Sequence, residues 1–120
     1  MINLPYPPTV NHYYTVVRGR KILSARGRSY KAECGWLMAG QKVARLKYEY
    51  FRVRIYVWVP DRRKRDLDNI LKPMLDALTE YGAITDDSAV VSLWTDRIGR
   101  TAGGRIEINI TKGKEPVDEC

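Results

Sequence analysis

Asp66 and Asp68 stand two residues apart, Lys72 follows Asp68 by four, and the pair Asp86-Asp87 closes the same stretch. Carboxylates at this density repel one another: two of them about 4 Å apart cost about 4 kcal/mol at an effective dielectric near 20. A fold that gathers three must offset the repulsion with protons, ammonium groups or a divalent cation. Beside a phosphate the usual cation is hard and oxygen-liganded, Mg²⁺ or Mn²⁺. Immediately upstream runs Arg62-Arg63-Lys64-Arg65. Cations that hold phosphates next to acids that hold a metal suit the breaking of a phosphodiester bond. Plainer readings exist for each residue. Asp66 or Asp68 caps a helix, and Asp86 with Asp87 shapes a turn. Asp68 and Lys72 on one helix face form an exposed ion pair of about 0.3–0.5 kcal/mol.

The elements around these residues are legible from periodicity. Ile2, Leu4 and Tyr6 alternate as a short strand that Pro7 and Pro8 stop. Residues 15–28, dotted with Arg and Gly, read as a mobile loop running into a helix over about 26–44. In that helix Tyr30, Cys34, Leu37, Met38 and Gln41 fall at helical spacing, with Gly35 and Gly40 weakening it. Residues 47–59 give the clearest strand: Val53, Ile55, Val57 and Val59 line a core face. Arg52, Arg54, Tyr56 and Trp58 line the other, which packs under a helix, on a second subunit or on DNA. Leu67, Ile70, Leu71, Met74, Leu75 and Leu78 then form one helical stripe, stopped by Gly82. Pro73 conflicts with a helix begun at residue 66, because it removes the bond to the carbonyl of residue 69. Either the helix kinks or it starts near Asn69–Ile70; both leave Asp66 and Asp68 at its positive end. Two strands follow, about 89–97 and 105–110, joined by a turn from Gly99 to Gly104. The order β-α-β-α-β-β predicts a single α+β domain over 1–120, a mixed β-sheet covered by two helices.

Net charge is +7, and its distribution is uneven. Residues 1–65 carry 15 Lys/Arg against 3 Asp/Glu, and residues 66–120 carry 6 against 11. A basic half points to a polyanion, most often nucleic acid. Cys34 and Cys120 are the only cysteines, with no zinc spacing and no redox pair. No disulfide between them is expected, nor any role for a membrane, since no apolar run reaches spanning length. A soluble protein of a reducing compartment is the expectation, without an organic cofactor.

One further pattern is specific. Leu4-Pro5-Tyr6-Pro7-Pro8-Thr9-Val10-Asn11 opens the chain, Pro60-Asp61-Arg62-Arg63-Lys64-Arg65-Asp66-Leu67-Asp68-Asn69 lies at its centre, and Lys72, Asp76-Ala77-Leu78 and Asp86-Asp87 follow. Over nearly its whole length the sequence resembles the RusA family of Holliday-junction resolvases of bacteria and their prophages. The resemblance implies a cytoplasmic homodimer that binds four-way branched DNA in recombination and repair and nicks two strands symmetrically. It implies Mg²⁺, with Mn²⁺ as a substitute, held by Asp66, Asp68 and Asp87, and Lys72 as a catalytic residue at the scissile phosphate. Asp86 is a weaker candidate ligand. Asn11 matches the N-terminal motif and either touches DNA or caps local backbone.

Candidate phosphate contacts are Arg18, Arg20 and Lys21 in the glycine-dotted segment, and Arg62, Arg63, Lys64 and Arg65 in the basic run. Tyr13 and Tyr14 either stack on bases or belong to a core or interface. His12, the only histidine, has no partners for a nucleophilic triad. Two rival readings stay open on the residues alone: a DNA-coating protein whose aspartates are structural, and a less selective nuclease of flaps and other branched DNA.

Overall fold

The sheet is assembled around a nine-residue strand, β4 (Phe51–Val59), whose alternate side chains Val53, Ile55 and Val57 are buried. The computed structural model describes residues 1–43 and 45–119, so the expectation for Cys120 lies outside the described residues. β1 (Ile2–Leu4) and β6 (Arg105–Lys112) pair antiparallel, and β6 pairs antiparallel with β4. β5 (Val90–Arg100) pairs parallel with the other side of β4, giving the order β1-β6-β4-β5. A parallel neighbour requires a crossover connection. Here it consists of a 3-10 turn at Leu67–Ile70, the helix α3 (Leu71–Glu80) and a second 3-10 turn at Asp87–Ala89. The candidate acids all lie on this crossover.

Of the two options at Pro73, the structure takes the later start. Pro73 is the third residue of α3, where its missing N–H has no intrahelical partner to lose, and it is buried. The helix ends at Glu80 with Tyr81 as its cap, and Gly82 just beyond has a φ of +79°, the left-handed conformation that glycine adopts without penalty. Met74, Ala77 and Leu78 are buried against the sheet.

The segment expected to be a mobile loop is instead an ordered hairpin. After a short helix α1 (Val10–Tyr13) come β2 (Tyr14–Val17) and β3 (Arg20–Leu23), paired from Tyr14↔Leu23 to Val17↔Arg20. Arg18 and Gly19 form its two-residue tip, with φ of +53° and +75°. This is the geometry that suits the twist of a tight hairpin. The alternation of Val and Thr is too short, and too crowded with charge, to register as strands.

Helix α2 (Ala25–Gly40) begins at Ser24, whose hydroxyl accepts from the Gly27 amide at 3.0 Å. It ends four residues earlier than expected. Gln41 is outside it and bridges to β1, accepting from Asn3 N at 2.8 Å and donating to Asn3 O at 2.7 Å. Leu37 is exposed; Gly27, Tyr30, Cys34 and Met38 form the buried stripe. Gly27 sits against backbone where a side chain has no room, and a side chain at Gly35 would have to displace the Tyr81 ring. A Cβ would lie 2.3 Å from the Tyr13 carbonyl oxygen at one and 2.5 Å from the Tyr81 ring at the other.

β5 runs on through Gly99 and Arg100, so the turn to β6 is tighter than expected and occupies 101–104. The expected pair of covering helices is joined by α1 and two 3-10 turns, but the class stands: one α+β domain with a mixed sheet. No helix among the described residues is long and apolar enough to cross a membrane.

Candidate active site

Asp66 occupies the position just before the first 3-10 turn of the crossover, with extended backbone and no capping bond from its side chain. Asp68 lies in the first turn. Both are exposed. Lys72 is the second residue of α3, and its partner is not Asp68, because the break between the 3-10 turn and the helix disrupts the helical repeat. The Lys72 Nζ instead pairs with Asp76 Oδ1 at 3.1 Å and Asp87 Oδ2 at 3.7 Å. The bond to Asp76 holds the Lys72 pKa above its ordinary value, burial opposing it and Asp87 adding to it.

Asp87 is half-buried at the start of its 3-10 turn. Asp86 precedes it and is engaged locally, accepting from the Ser88 hydroxyl, which holds its carboxyl below the usual range. Among the described residues no group of three or more His, Cys, Asp or Glu side chains converges to hold a metal. Asp66, Asp68 and Asp87 therefore do not form a ready-made nest by themselves; the juxtaposition that the fold does make is Lys72 with Asp76 and Asp87.

A cleft of about 700 Å³ is lined by Tyr6, His12, Arg26, Glu33, Arg63 and Arg65 among others. A smaller recess of about 70 Å³ shares Tyr6, Pro7, Pro8, Thr9 and Arg65 with it and extends to Lys64, Asp66 and Asn69. A groove with arginines on its walls thus ends at Asp66. Arg62, Arg63 and Lys64 are exposed. Arg65 is not free: it clasps Asp61 through two bonds, Nε to Oδ1 at 3.1 Å and Nη2 to Oδ2 at 2.7 Å. Its guanidinium also lies 5.5 Å over the Tyr6 ring, and its carbonyl accepts from Arg97. These bonds from Arg65 hold the Asp61 carboxyl below its ordinary pKa.

Arg18, Arg20 and Lys21 project from the hairpin and are exposed, as is Asn11 on α1. His12 is exposed beside the cleft, its Nδ1 3.3 Å from the Thr9 hydroxyl. Tyr13 is wholly buried, and Tyr14, the first residue of the hairpin, is half-buried, its hydroxyl donating to Asp76 Oδ2 at 3.2 Å. On the outer face of β4, Arg52 and Arg54 are exposed and Tyr56 and Trp58 half-buried. Arg54 lies 4.7 Å over Trp94 and pairs with Asp96 at 3.2 Å, and Arg105 lies 3.6 Å over Trp58.

Parts of this region escape a reading of the sequence. Arg97, which donates to the Arg65 carbonyl, carries no local signal that would place it at a site. Asp76 and Tyr14 meet across 62 residues, a juxtaposition that spacing cannot reveal.

Fold and site together define a class: an α+β domain that sets carboxylates and a lysine on a crossover beside an arginine-lined groove. Residues 5–111 match the family model described as Endodeoxyribonuclease RusA. The chain is 40% identical over 111 residues to the crossover junction endodeoxyribonuclease RusA of Enterobacteria phage 82, covering 92% of each. It is 39% identical, with the same coverage, to proteins of that name from Escherichia coli K12 and Shigella sonnei. The chain belongs to the RusA endodeoxyribonuclease family.

Proposed function

We propose that this protein is a metal-dependent crossover junction endodeoxyribonuclease, binding four-way branched DNA and nicking two strands symmetrically. The observation that carries the reading is the arginine-lined groove ending at Asp66, with the Lys72–Asp87 pair on the same crossover. Phosphates lie along Arg26, Arg63 and the exposed Arg62 and Lys64, while Arg18, Arg20 and Lys21 of the hairpin and Asn11 extend the contact.

The donor set fits Mg²⁺, with Mn²⁺ as a substitute. Asp66, Asp68 and Asp87 offer only hard carboxylate oxygens, and Mg²⁺ ordinarily takes one or two carboxylates together with waters and substrate phosphates. A three-acid cluster is therefore not a precondition. When bound, the ion supplies a more acidic water and charge stabilisation at the phosphate. The chain's own contributions are distinct from these. One or two of Asp66, Asp68 and Asp87 would hold the ion together with water and phosphate oxygens, and the Lys72 ammonium sets positive charge where negative charge grows on the phosphate oxygens. The side chain of Lys72 is 56% exposed, which leaves it within reach of a backbone phosphate.

Two symmetric nicks call for two sites related by a two-fold axis, which an isologous homodimer provides. Support comes from β5, an edge strand with Val91, Leu93, Trp94 and Ile98 exposed. A long unpaired edge that exposes several large apolar side chains is a surface that proteins ordinarily cover.

The test uses labelled four-way, three-way, flap and linear duplex DNA, incubated with protein in Mg²⁺ or EDTA, with the nicks mapped. Paired nicks confined to the four-way substrate and dependent on Mg²⁺ are expected. Tight binding without cutting would leave a DNA-coating protein, and equal cutting of flaps a less selective nuclease.

A further inference from the structure

Asp76 lies one turn beyond Lys72 on α3, and both of its carboxylate oxygens are engaged. Oδ1 faces the Lys72 ammonium at 3.1 Å, and Oδ2 accepts from the Tyr14 hydroxyl at 3.2 Å. The Asp76 side chain is 22% exposed against 56% for Lys72, so a largely sheltered acid holds a projecting base. Tyr14 is itself fixed. Its ring meets the buried Tyr13 edge-on at 4.8 Å, and the Lys21 ammonium of the hairpin lies 4.4 Å over it.

Helix energetics give no reason for this arrangement. A lysine in the first turn of a helix stands at the positive end of the dipole, where cations are disfavoured. The order lysine then acid, four residues apart, is also the weaker of the two for helix stability. What the pair does achieve is geometric. A lysine on a four-carbon stem samples many rotamers, and a partner held from two elements restricts it. Asp87 cannot serve as that partner if it is needed as a metal ligand, and its contact is the longer one.

We propose that Asp76, anchored by Tyr14, is a positioning residue that aims the Lys72 ammonium at the scissile phosphate, and that Tyr14 couples this aim to the basic hairpin. The inference rests on the nuclease reading above. DNA that engages Lys21 shifts or steadies the ring beneath it, and the Tyr14 hydroxyl passes that constraint to Asp76. Substrate held by the hairpin thereby helps to set the lysine that acts on it.

The experiment compares Asp76→Asn, Asp76→Glu and Tyr14→Phe in the full chain for junction affinity, melting temperature and single-turnover cleavage at saturating protein. Asp76→Asn should cut about 10–100-fold more slowly, the scale of a misplaced catalytic group. Tyr14→Phe, which removes one hydroxyl and keeps the ring, should cut about 3–10-fold more slowly. Junction affinity should stay within about twofold for both. Asp76→Glu should recover part of the rate, and adding Asp76→Asn to Lys72→Ala should slow cleavage no further. Wild-type cleavage by Asp76→Asn and Tyr14→Phe would overturn this inference alone. A full additional slowing in the Lys72→Ala background would overturn it too, because Asp76 would then act independently of the lysine. A wild-type protein that cuts nothing would overturn the nuclease reading, and the inference with it.

Discussion

The Lys72 ammonium lies 3.7 Å from the Asp87 carboxylate, joining the first turn of α3 to the segment that leads into β5. The side chains are 56% and 39% exposed, so water solvates whichever group is left when the other is removed. Folding should therefore tolerate Lys72→Ala and Asp87→Asn within about 0.5 kcal/mol. Cleavage should not: each substitution should slow it by about 10²–10³-fold, the scale of losing a charge-stabilising group. Asp68→Asn should likewise retain junction binding and abolish cleavage. Thermal melting beside Mg²⁺-dependent nicking of a labelled junction separates the two effects. Full cutting by the Asp68 or Asp87 variant would remove these acids from the site.

The hairpin and the basic run should contribute to binding chiefly through phosphates, and therefore through salt dependence. Neutralising Arg18, Arg20 and Lys21 together should flatten the log–log salt slope by about 0.9 for each duplex-arm phosphate that these residues neutralise in the wild type. Arg65 should behave differently, because its charge is already matched by Asp61. Arg65→Ala should disturb the Tyr6 wall of the groove and the turn that carries Asp66, with less effect on the slope than the hairpin variant. Binding titrations across a salt series decide both points; an unchanged slope in the triple hairpin variant would detach the hairpin from DNA.

What can be read from the sequence is whatever local pattern or short spacing encodes. β4 is legible because its alternation is long and one-sided, and the late start of α3 follows from the constraint that Pro73 imposes. The hairpin is not, because four-residue strands carrying Arg and Lys lack a periodic signal, and only the Arg18-Gly19 tip marks them. At the site, the residue types are visible and their partners are not. Spacing matches Lys72 with Asp68, four residues back, whereas the fold pairs it with Asp76 and Asp87. Spacing ranks neighbours along one helix, but a 3-10 turn at residues 67–70 resets the helical phase, and a crossover brings in acids from beyond it.

The exposed edge of β5 should be where two copies meet. Leu93 lies opposite Val53 in the sheet yet is 40% exposed, because no strand follows on that side. Leu93→Arg places a charge on that edge, a device that blocks strand pairing. The variant should remain folded by circular dichroism but sediment at about 14 kDa, the mass of one chain, where the wild type sediments at twice that. Paired nicking should fall to single nicks in the same variant. A wild type that is monomeric at all concentrations would rule out the homodimer, and a dimeric Leu93→Arg would move the interface elsewhere.

Cys34 should be chemically silent in the folded protein. It is wholly buried in α2, and burial pushes its thiol from 9.0 up to about 11, with a bond from Tyr30 opposing the shift. The thiolate is the reactive form, so both access and ionisation are denied. With Cys120→Ser leaving Cys34 as the only thiol, a reagent at about pH 8.5 should label the protein rapidly in denaturant and negligibly in its absence. The sign of the pH effect on stability follows from the same shift. Below the unfolded value both states carry the neutral thiol and nothing changes. Between 9.0 and about 11 the unfolded chain ionises while the folded one does not, so stability falls as pH rises. Tyr30, also raised by burial, should steepen that decline in the upper part of the window. Denaturant midpoints measured from neutral pH upward should decrease over this range, and Cys34→Ala should shrink the decrease. Labelling of the native protein at the rate of a free thiol would show that α2 opens far more readily than its packing implies.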